Sequence, residues 1–137
     1  MKGKVVIITG GSSGMGLAMA KKFISEGAKV VITGRNRERL ESAKAEIAAK
    51  EGELLTIQMD VRMVEDVNEM VQETVRTFGT VDFLINNAAG NFICPSEDLS
   101  PNGWKAVIDI VLNGTFYCSS AVGRYWIDHQ IKGSITN

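Results

Sequence analysis

Apolar residues in this chain come in short unbroken runs, and between the runs they recur at helical spacing. Val5-Val6-Ile7-Ile8, Lys29-Val30-Val31-Ile32-Thr33, Leu54-Leu55-Thr56-Ile57-Gln58-Met59 and Val81-Asp82-Phe83-Leu84-Ile85 are short and mostly apolar at consecutive positions, the mark of strands buried on both faces. A helical pattern follows the first run, from Leu17 to Glu26, with Gly27 as its stop. After the second run Asn36 caps a helix that carries Leu40, Ala43, Ile47 and Ala48 and ends at Gly52. Val64, Val67, Met70, Val71, Val75 and Phe78 mark a third helix stopped by Gly79. Ser100-Pro101 is an N-cap and first-turn pair. It opens a long helix through Trp104, Val107, Ile108, Val111, Leu112 and Phe116 to about Asp128, and Gly133-Ser134-Ile135-Thr136 begins a fifth strand.

Strict alternation of strand and helix predicts the α/β class: a Rossmann-like doubly wound parallel sheet with helices on both faces, one domain over residues 1–137, broken off after its fifth strand. Right-handed crossovers place a ligand crevice at the carboxyl ends of the strands, where strand order reverses. Gly10, Gly34-Arg35, Asp60 and Asn86-Asn87 stand at those ends. No internal repeat, low-complexity tract or linker interrupts the pattern.

Residues 9 to 16, Thr9-Gly10-Gly11-Ser12-Ser13-Gly14-Met15-Gly16, join the first strand to the first helix. Strand, glycine turn and helix together form a pyrophosphate cradle: the turn lets the anion approach the backbone, and the N–H groups of the helix start face it. A P-loop is excluded, because Leu17 follows Gly16 where Lys and Ser/Thr would be required. Arg35 follows the second strand, where an acid would bind the ribose hydroxyls of NAD; position 34 is Gly. A guanidinium there pairs with the 2′-phosphate of NADP, so NADP is the expected cofactor. The alternative for Arg35 is a solvated charge in the helix start Arg35, Arg37, Glu38, Arg39.

Composition removes other classes. A net charge of −1 and a pI of about 5.8 give no basic surface for nucleic acid. No apolar run approaches the ~20 residues of a membrane span, and Met1-Lys2-Gly3-Lys4 enters a strand without a leader, so the expectation is a cytoplasmic protein with no membrane partner. Cys94 and Cys118 make no Cys-x-x-Cys and His129 stands alone, so no metal site is expected; both cysteines read as packing residues and His129 as a surface residue near a helix end. Asn113-Gly114-Thr115 has the form of a glycosylation acceptor but lies within a helix of a chain read as cytoplasmic.

With these residues in place, the chain resembles the short-chain dehydrogenase/reductase family over its whole length. The family's turn Thr-Gly-x-x-x-Gly-x-Gly is matched by Thr9, Gly10, Gly14 and Gly16, and its Asn-Asn-Ala-Gly motif by Asn86-Asn87-Ala88-Ala89-Gly90 with an extra Ala. Asp60-Val61 matches its adenine-pocket pair, and Asn113 its mid-helix active-site Asn. The resemblance thus implies cofactor contacts from Gly10, Ser12, Ser13, Gly14, Met15, Gly16, Arg35, Asp60, Val61, Asn87, Ala88 and Ala89. Read by residue type alone, Met15 is helix-start packing, Asp60 could equally initiate the next helix, and Asn113, unfavourable in mid-helix, suits a functional or helix-bulge role.

Within the family, Asn87 to Phe92 with Leu99-Ser100-Pro101-Asn102 and Asp109 to Thr115 is similar to the 2,4-dienoyl-CoA reductases. This implies an acyl-CoA substrate reduced with NADPH, Asn91 as hydrogen-bond donor to the thioester carbonyl, and Arg62, Phe92 and Ser100 as acyl-CoA contacts. The alternative is that Asn91 caps a turn and Phe92 packs a loop. Asn91 and Asn113 are the candidate catalytic residues of this chain. The family's Tyr-x-x-x-Lys is absent: Tyr117 is followed four positions on by Ala121, and Tyr125 by His129. The chain therefore reads as the N-terminal part of a longer enzyme, itself inactive and leaving an apolar sheet edge exposed. The stripe from Trp104 to Phe116 reads as mostly core, with a spare aromatic face for a partner subunit in a homo-oligomer, a tetramer by resemblance. Competing readings are a 3-oxoacyl or sugar-alcohol dehydrogenase, a catalytically dead NADP-binding remnant, and a methyltransferase. The last explains neither Arg35 nor Asn86 to Gly90.

Overall fold

Val5–Ile8 forms strand β1, and all four residues are buried, Val6, Ile7 and Ile8 completely. The computed structural model describes residues 1–48 and 52–137. Helix α1 (Gly14–Ser25), β2 (Lys29–Gly34), α2 (Arg37–Ile47), β3 (Leu54–Gln58), α3 (Val64–Phe78) and β4 (Phe83–Ile85) follow in the predicted alternation. A 3₁₀ turn at Ser96–Asp98 precedes α4 (Pro101–Ile108), a π-helical segment (Asp109–Asn113), α5 (Gly114–Asp128) and β5 (Ser134–Thr136). The strands lie in the order β3-β2-β1-β4-β5, and every neighbouring pair is parallel. Strand order therefore reverses between β1 and β4.

Two apolar layers explain why the strand sequences do not alternate. Val6 and Ile8 of β1 and Val30 and Ile32 of β2 pack with Ala20, Leu40 and Ala43 of α1 and α2. Ile7, Val31 and Leu84 point the other way, into a second cluster with Val67 and Met70 of α3 and Cys118, Val122 and Trp126 of α5. Successive strand residues face opposite layers, so both sets must be apolar.

At the amino-terminal end of the sheet the polar groups are paired internally. Asp82, 9% exposed, accepts from the backbone N–H of Val5 at 2.9 Å and from Lys4 Nζ at 2.8 Å. Trp126 Nε1 donates to Val81 O at 2.7 Å, and Gly133 lies so close to the indole that a Cβ there would be 2.2 Å from it. That contact seats the turn leading into β5.

Four expectations change. Helix α2 stops at Ile47 with Ala48 in the left-handed conformation (φ 49°), not at Gly52. The stripe from Trp104 to Phe116 is not core: Trp104, Leu112 and Phe116 are 59%, 61% and 65% exposed, because α4 and the π segment hold no buried residue and Phe116 lies off the face by which α5 buries Cys118, Val122 and Trp126. Met15 is 77% exposed rather than packed into the helix start. Cys118 is a packing residue, its thiol pushed up to about 12 by burial, whereas Cys94 lies half-exposed with Sγ on Pro95 O. His129 caps the exposed end of α5 as expected. The continuous helical run Pro101–Asp128, 28 residues with mean hydropathy 1.3, is long and apolar enough to cross a membrane by length and composition, which the reading of short apolar runs overlooked. Its α5 half packs Cys118, Val122 and Trp126 against the sheet.

Candidate functional site

The switch point is tied together by one threonine and one asparagine. Thr9, 1% exposed, accepts at Oγ1 from the backbone N–H groups of Asn87 (3.1 Å) and Ala88 (3.0 Å). Asn87 Nδ2 donates in return to Thr9 O and Gly10 O, each at 3.0 Å. These bonds fix the end of β4 over the end of β1. Gly16 fits beneath them because a Cβ there would meet Gly10 O at 2.5 Å and Asn87 Nδ2 at 2.6 Å. Gly14, with φ +54°, has nothing within 4 Å of its would-be Cβ, so the outer side of the turn is open.

The starts of α1, α2 and α4 differ. Asn36 caps α2 by accepting from Arg39 N at 2.9 Å, and Ser100 caps α4 by accepting from Gly103 N at 3.1 Å. At α1 the N-cap Ser13 makes no side-chain cap and the first turn holds no acid. The first-turn N–H groups are left for an external acceptor, and the helix dipole adds positive potential at the same place.

This helix start opens on a crevice of about 660 Å³. The structure brings together there Gly10, Ser12, Ser13 and Arg35 from the β1 and β2 ends, Asp60 and Val61 after β3, and Asn87, Ala88 and Ala89 after β4. Thr33, Asn36, Arg39, Met59 and Ile110 line it as well, none of them foreseen as site residues. Arg39 alone carried a sequence signal, a basic residue in the first turn of the helix after β2. Gly14, Met15 and Gly16, the first residues of α1, are not among the lining residues. Asn91, Phe92 and Ser100 stand apart on the exposed loop after β4: Phe92 is 51% exposed and touches Gly103, and Ser100 Oγ is engaged as the α4 cap.

Arg62 and Asn113 line a second hollow of about 330 Å³ with Met63, Lys105, Asp109 and Tyr117. The π segment therefore turns Ile110 toward the crevice and Asn113 away from it. Asn113 Nδ2 donates to Asp109 Oδ1 at 2.9 Å, and Asp109 also pairs with Lys105, which holds its carboxyl below the usual range with help from Asn113.

Charge is unevenly satisfied around the crevice. Asp60 accepts from Arg62 Nε at 3.0 Å and from Arg62 N at 3.0 Å, and the Arg62 hydrogen bond holds its carboxyl low. Two residues expected to contact different ligands are thus paired with each other. Asp60 does not cap α3, whose N-cap is Met63, but its N–H is held by Asp66 Oδ2 at 2.9 Å. Arg35 and Arg39 make no ion pair among the described residues. A Cβ on Gly34 would come within 3.2 Å of Ser12 Oγ, so a larger residue between Arg35 and the turn would crowd the crevice. Uncapped helix N-terminus, hydroxyls and unpaired guanidiniums suit a ligand with several phosphates.

Known proteins give the same picture. Residues 4–137 match the family model described as short chain dehydrogenase. A probable 2,4-dienoyl-CoA reductase [(2E)-enoyl-CoA-producing] of Bacillus subtilis is 60% identical over 137 residues, all of this chain and 54% of that protein. A peroxisomal 2,4-dienoyl-CoA reductase [(3E)-enoyl-CoA-producing] of Danio rerio is 44% identical over 98% of this chain and 45% of its own length. The crystal structure of a short chain dehydrogenase from Bacillus anthracis superposes with a TM-score of 0.95 at 64% identity, over 97% of this chain and 55% of that one. The chain spans about half the length of the relatives it matches. With a parallel 3-2-1-4-5 sheet, a glycine turn at its switch point and a family match across residues 4–137, the chain belongs to the short-chain dehydrogenase family.

Proposed function

We propose that this chain supplies the cofactor crevice of an NADPH-dependent reductase acting on 2,4-dienoyl-CoA thioesters. One observation carries the reading: two relatives, from a bacterium and a fish, both named as 2,4-dienoyl-CoA reductases, match along almost the whole chain. The nicotinamide cofactor, when bound, supplies a hydride. The α1 N-terminus and Ser12 and Ser13 would hold its pyrophosphate, Arg35 would pair with the 2′-phosphate, and Asp60 and Val61 would border the adenine. Asn87, Ala88 and Ala89 form the wall leading toward the nicotinamide side.

Asn91 follows that wall. As hydride arrives at the far end of the diene, negative charge moves onto the thioester oxygen, and the Asn91 amide donates a hydrogen bond to it. A proton then completes the product: at the α-carbon it leaves a 3-enoyl thioester, at the γ-carbon a 2-enoyl thioester. Phe92, Arg62 and Ser100 contact the acyl-CoA, Arg62 by exchanging its bond to Asp60. Asn113 serves through the π segment it belongs to. The same reading carries a cytoplasmic homo-oligomer, a tetramer, assembled over the exposed face of Trp104, Leu112 and Phe116.

The test uses the complete protein with a 2,4-dienoyl-CoA, a 3-oxoacyl-CoA, NADPH and NADH. NADPH-dependent reduction of the dienoyl thioester is expected, with the double-bond position of the product fixed by NMR. Turnover confined to the 3-oxoacyl thioester overturns the substrate, and equal use of NADH overturns the cofactor.

A further inference from the structure

The helical run from Pro101 to Asp128 changes geometry once, at the π segment Asp109–Asn113. Such turns are rare and recur at functional sites. This one holds neither Gly nor Pro, so its departure from α geometry rests on what surrounds it. Two close fits lie at its flanks. A Cβ on Gly90 would stand 2.9 Å from Ile110 Cδ1, and one on Gly114 would stand 2.7 Å from Val61 Cγ2. The segment therefore bears on the backbone after β4 and on the loop after β3, and Ile110 and Val61 both line the crevice. A third restraint is internal. Asp109 Oδ1 accepts from Asn113 Nδ2 at 2.9 Å, which joins the first residue of the segment to the last. The other carboxylate oxygen is held by Lys105 from the preceding turn. Asp109 and Asn113 line the hollow, on the side of the segment away from the crevice.

Resting on the NADPH reading above, we propose that Asp109 is a positioning residue: through Asn113 it locks the register of the π segment and so holds Ile110 in the crevice between Val61 and Gly90. Register matters because one residue corresponds to about 100° of helix rotation. Helix α5 is pinned to the sheet by Cys118, Val122 and Trp126, so losing the extra residue of the π turn rotates the part of the helix before it, Ile110 included. Ile110 then swings off the crevice wall and leaves a gap beside Ala88, which packs against the same cluster. The bound cofactor would lose an apolar contact there and gain water in its place. Asp109 touches none of the reacting atoms; its effect travels through the backbone it fastens.

The experiment uses the complete protein with Cys94→Ser, which leaves Cys118 buried, and adds Ile110→Cys as a reporter. With Asp109 in place, bound NADPH should shield the introduced thiol from a maleimide; with Asp109→Ala the shielding should be lost. In protein that keeps Ile110, Asp109→Ala should weaken NADPH binding about tenfold, the worth of one half-buried apolar contact. Asp109→Asn, which keeps an oxygen for Asn113 but no charge for Lys105, should restore both shielding and affinity. If Asp109→Ala does not fold, Asn113→Ala removes the same bond from its other end, and the same losses are expected of it. Wild-type shielding and affinity in the Ala variant overturn the inference and leave the NADPH reading standing. NADPH that binds without shielding the thiol in the presence of Asp109 does the same. So do losses that Asp109→Asn repeats in full, because they assign the effect to the Lys105 charge pair. If the protein with Asp109 and Ile110 intact does not bind NADPH, the NADPH reading fails and takes the inference with it.

Discussion

The two ends of this sheet are built from similar materials to opposite purposes. At the amino-terminal end, Asp82 is satisfied by Val5 N–H and Lys4, and Trp126 by Val81 O, with Gly133 pressed against the indole. At the carboxyl end, the α1 start has no side-chain cap, and the Arg35 and Arg39 guanidiniums make no ion pair among the described residues. A buried polar group without a partner costs about 1–3 kcal/mol, so the first end holds the fold. The second keeps its donors at the rim, where water serves until a ligand replaces it. Thr9 and Asn87 are the boundary: their bonds are internal, yet they shape the crevice floor.

Substitutions at the two ends should therefore separate, activity from stability. The largest effect is expected from Asn91→Ala in the complete protein, a fall in kcat of about 10²–10³ with NADPH affinity and melting temperature near wild type. Steady-state kinetics beside a thermal melt checks this; lost stability with kcat intact would make Asn91 a turn residue. Next comes Arg35→Asp, which should weaken NADPH binding by about 1.5–3 kcal/mol, read as a dissociation constant, while NADH binding holds or improves. An unchanged constant for NADPH would take Arg35 out of the site.

At the opposite end the readout inverts. Gly133→Ala puts a methyl onto the Trp126 ring and should cost about 1–3 kcal/mol in denaturant unfolding, with the cofactor's dissociation constant unchanged. The smallest effect belongs to Asp60 and Arg62, whose pair sits between crevice and hollow. Arg62 lowers the Asp60 pKa in the folded state, so the bond adds stability above the unfolded carboxylate's pKa, about 4, and loses it as pH falls through the folded value. Arg62→Gln should flatten that acid limb of a stability-versus-pH curve slightly, because Arg62 is more than a third exposed.

The sheet was legible because β1 and β2 bury both faces and so are written as unbroken apolar runs. The glycine turn was legible because its flanks are a strand and a helix. Trp104, Leu112 and Phe116 were misread for a definite reason: spacing identifies which residues share a helix face, not whether anything covers that face. The α2 end was misplaced because Ala48, a residue with no left-handed preference, takes the cap that Gly52 was expected to provide. Asp60 with Arg62, and Trp126 with Val81, are pairings of folded geometry without a spacing signature. Asn113 was expected as an active-site residue, and its unfavourable propensity did mark a helix irregularity; which side of the π segment faces the crevice depended on packing.

Strand order has a consequence for how the chain is made. β1 is central in the sheet, and one of its edges pairs with β4, Val6 opposite Phe83. During synthesis at about 5–20 residues per second, that edge waits on the order of ten seconds for its partner. Val5 to Ile8, fully buried in the finished protein, is for that interval a bare apolar strand edge on a growing polypeptide. Aggregation of nascent chains should therefore begin there, and a charged replacement of Ile7 or Ile8, ruinous to the folded sheet, would keep the unfinished chain soluble.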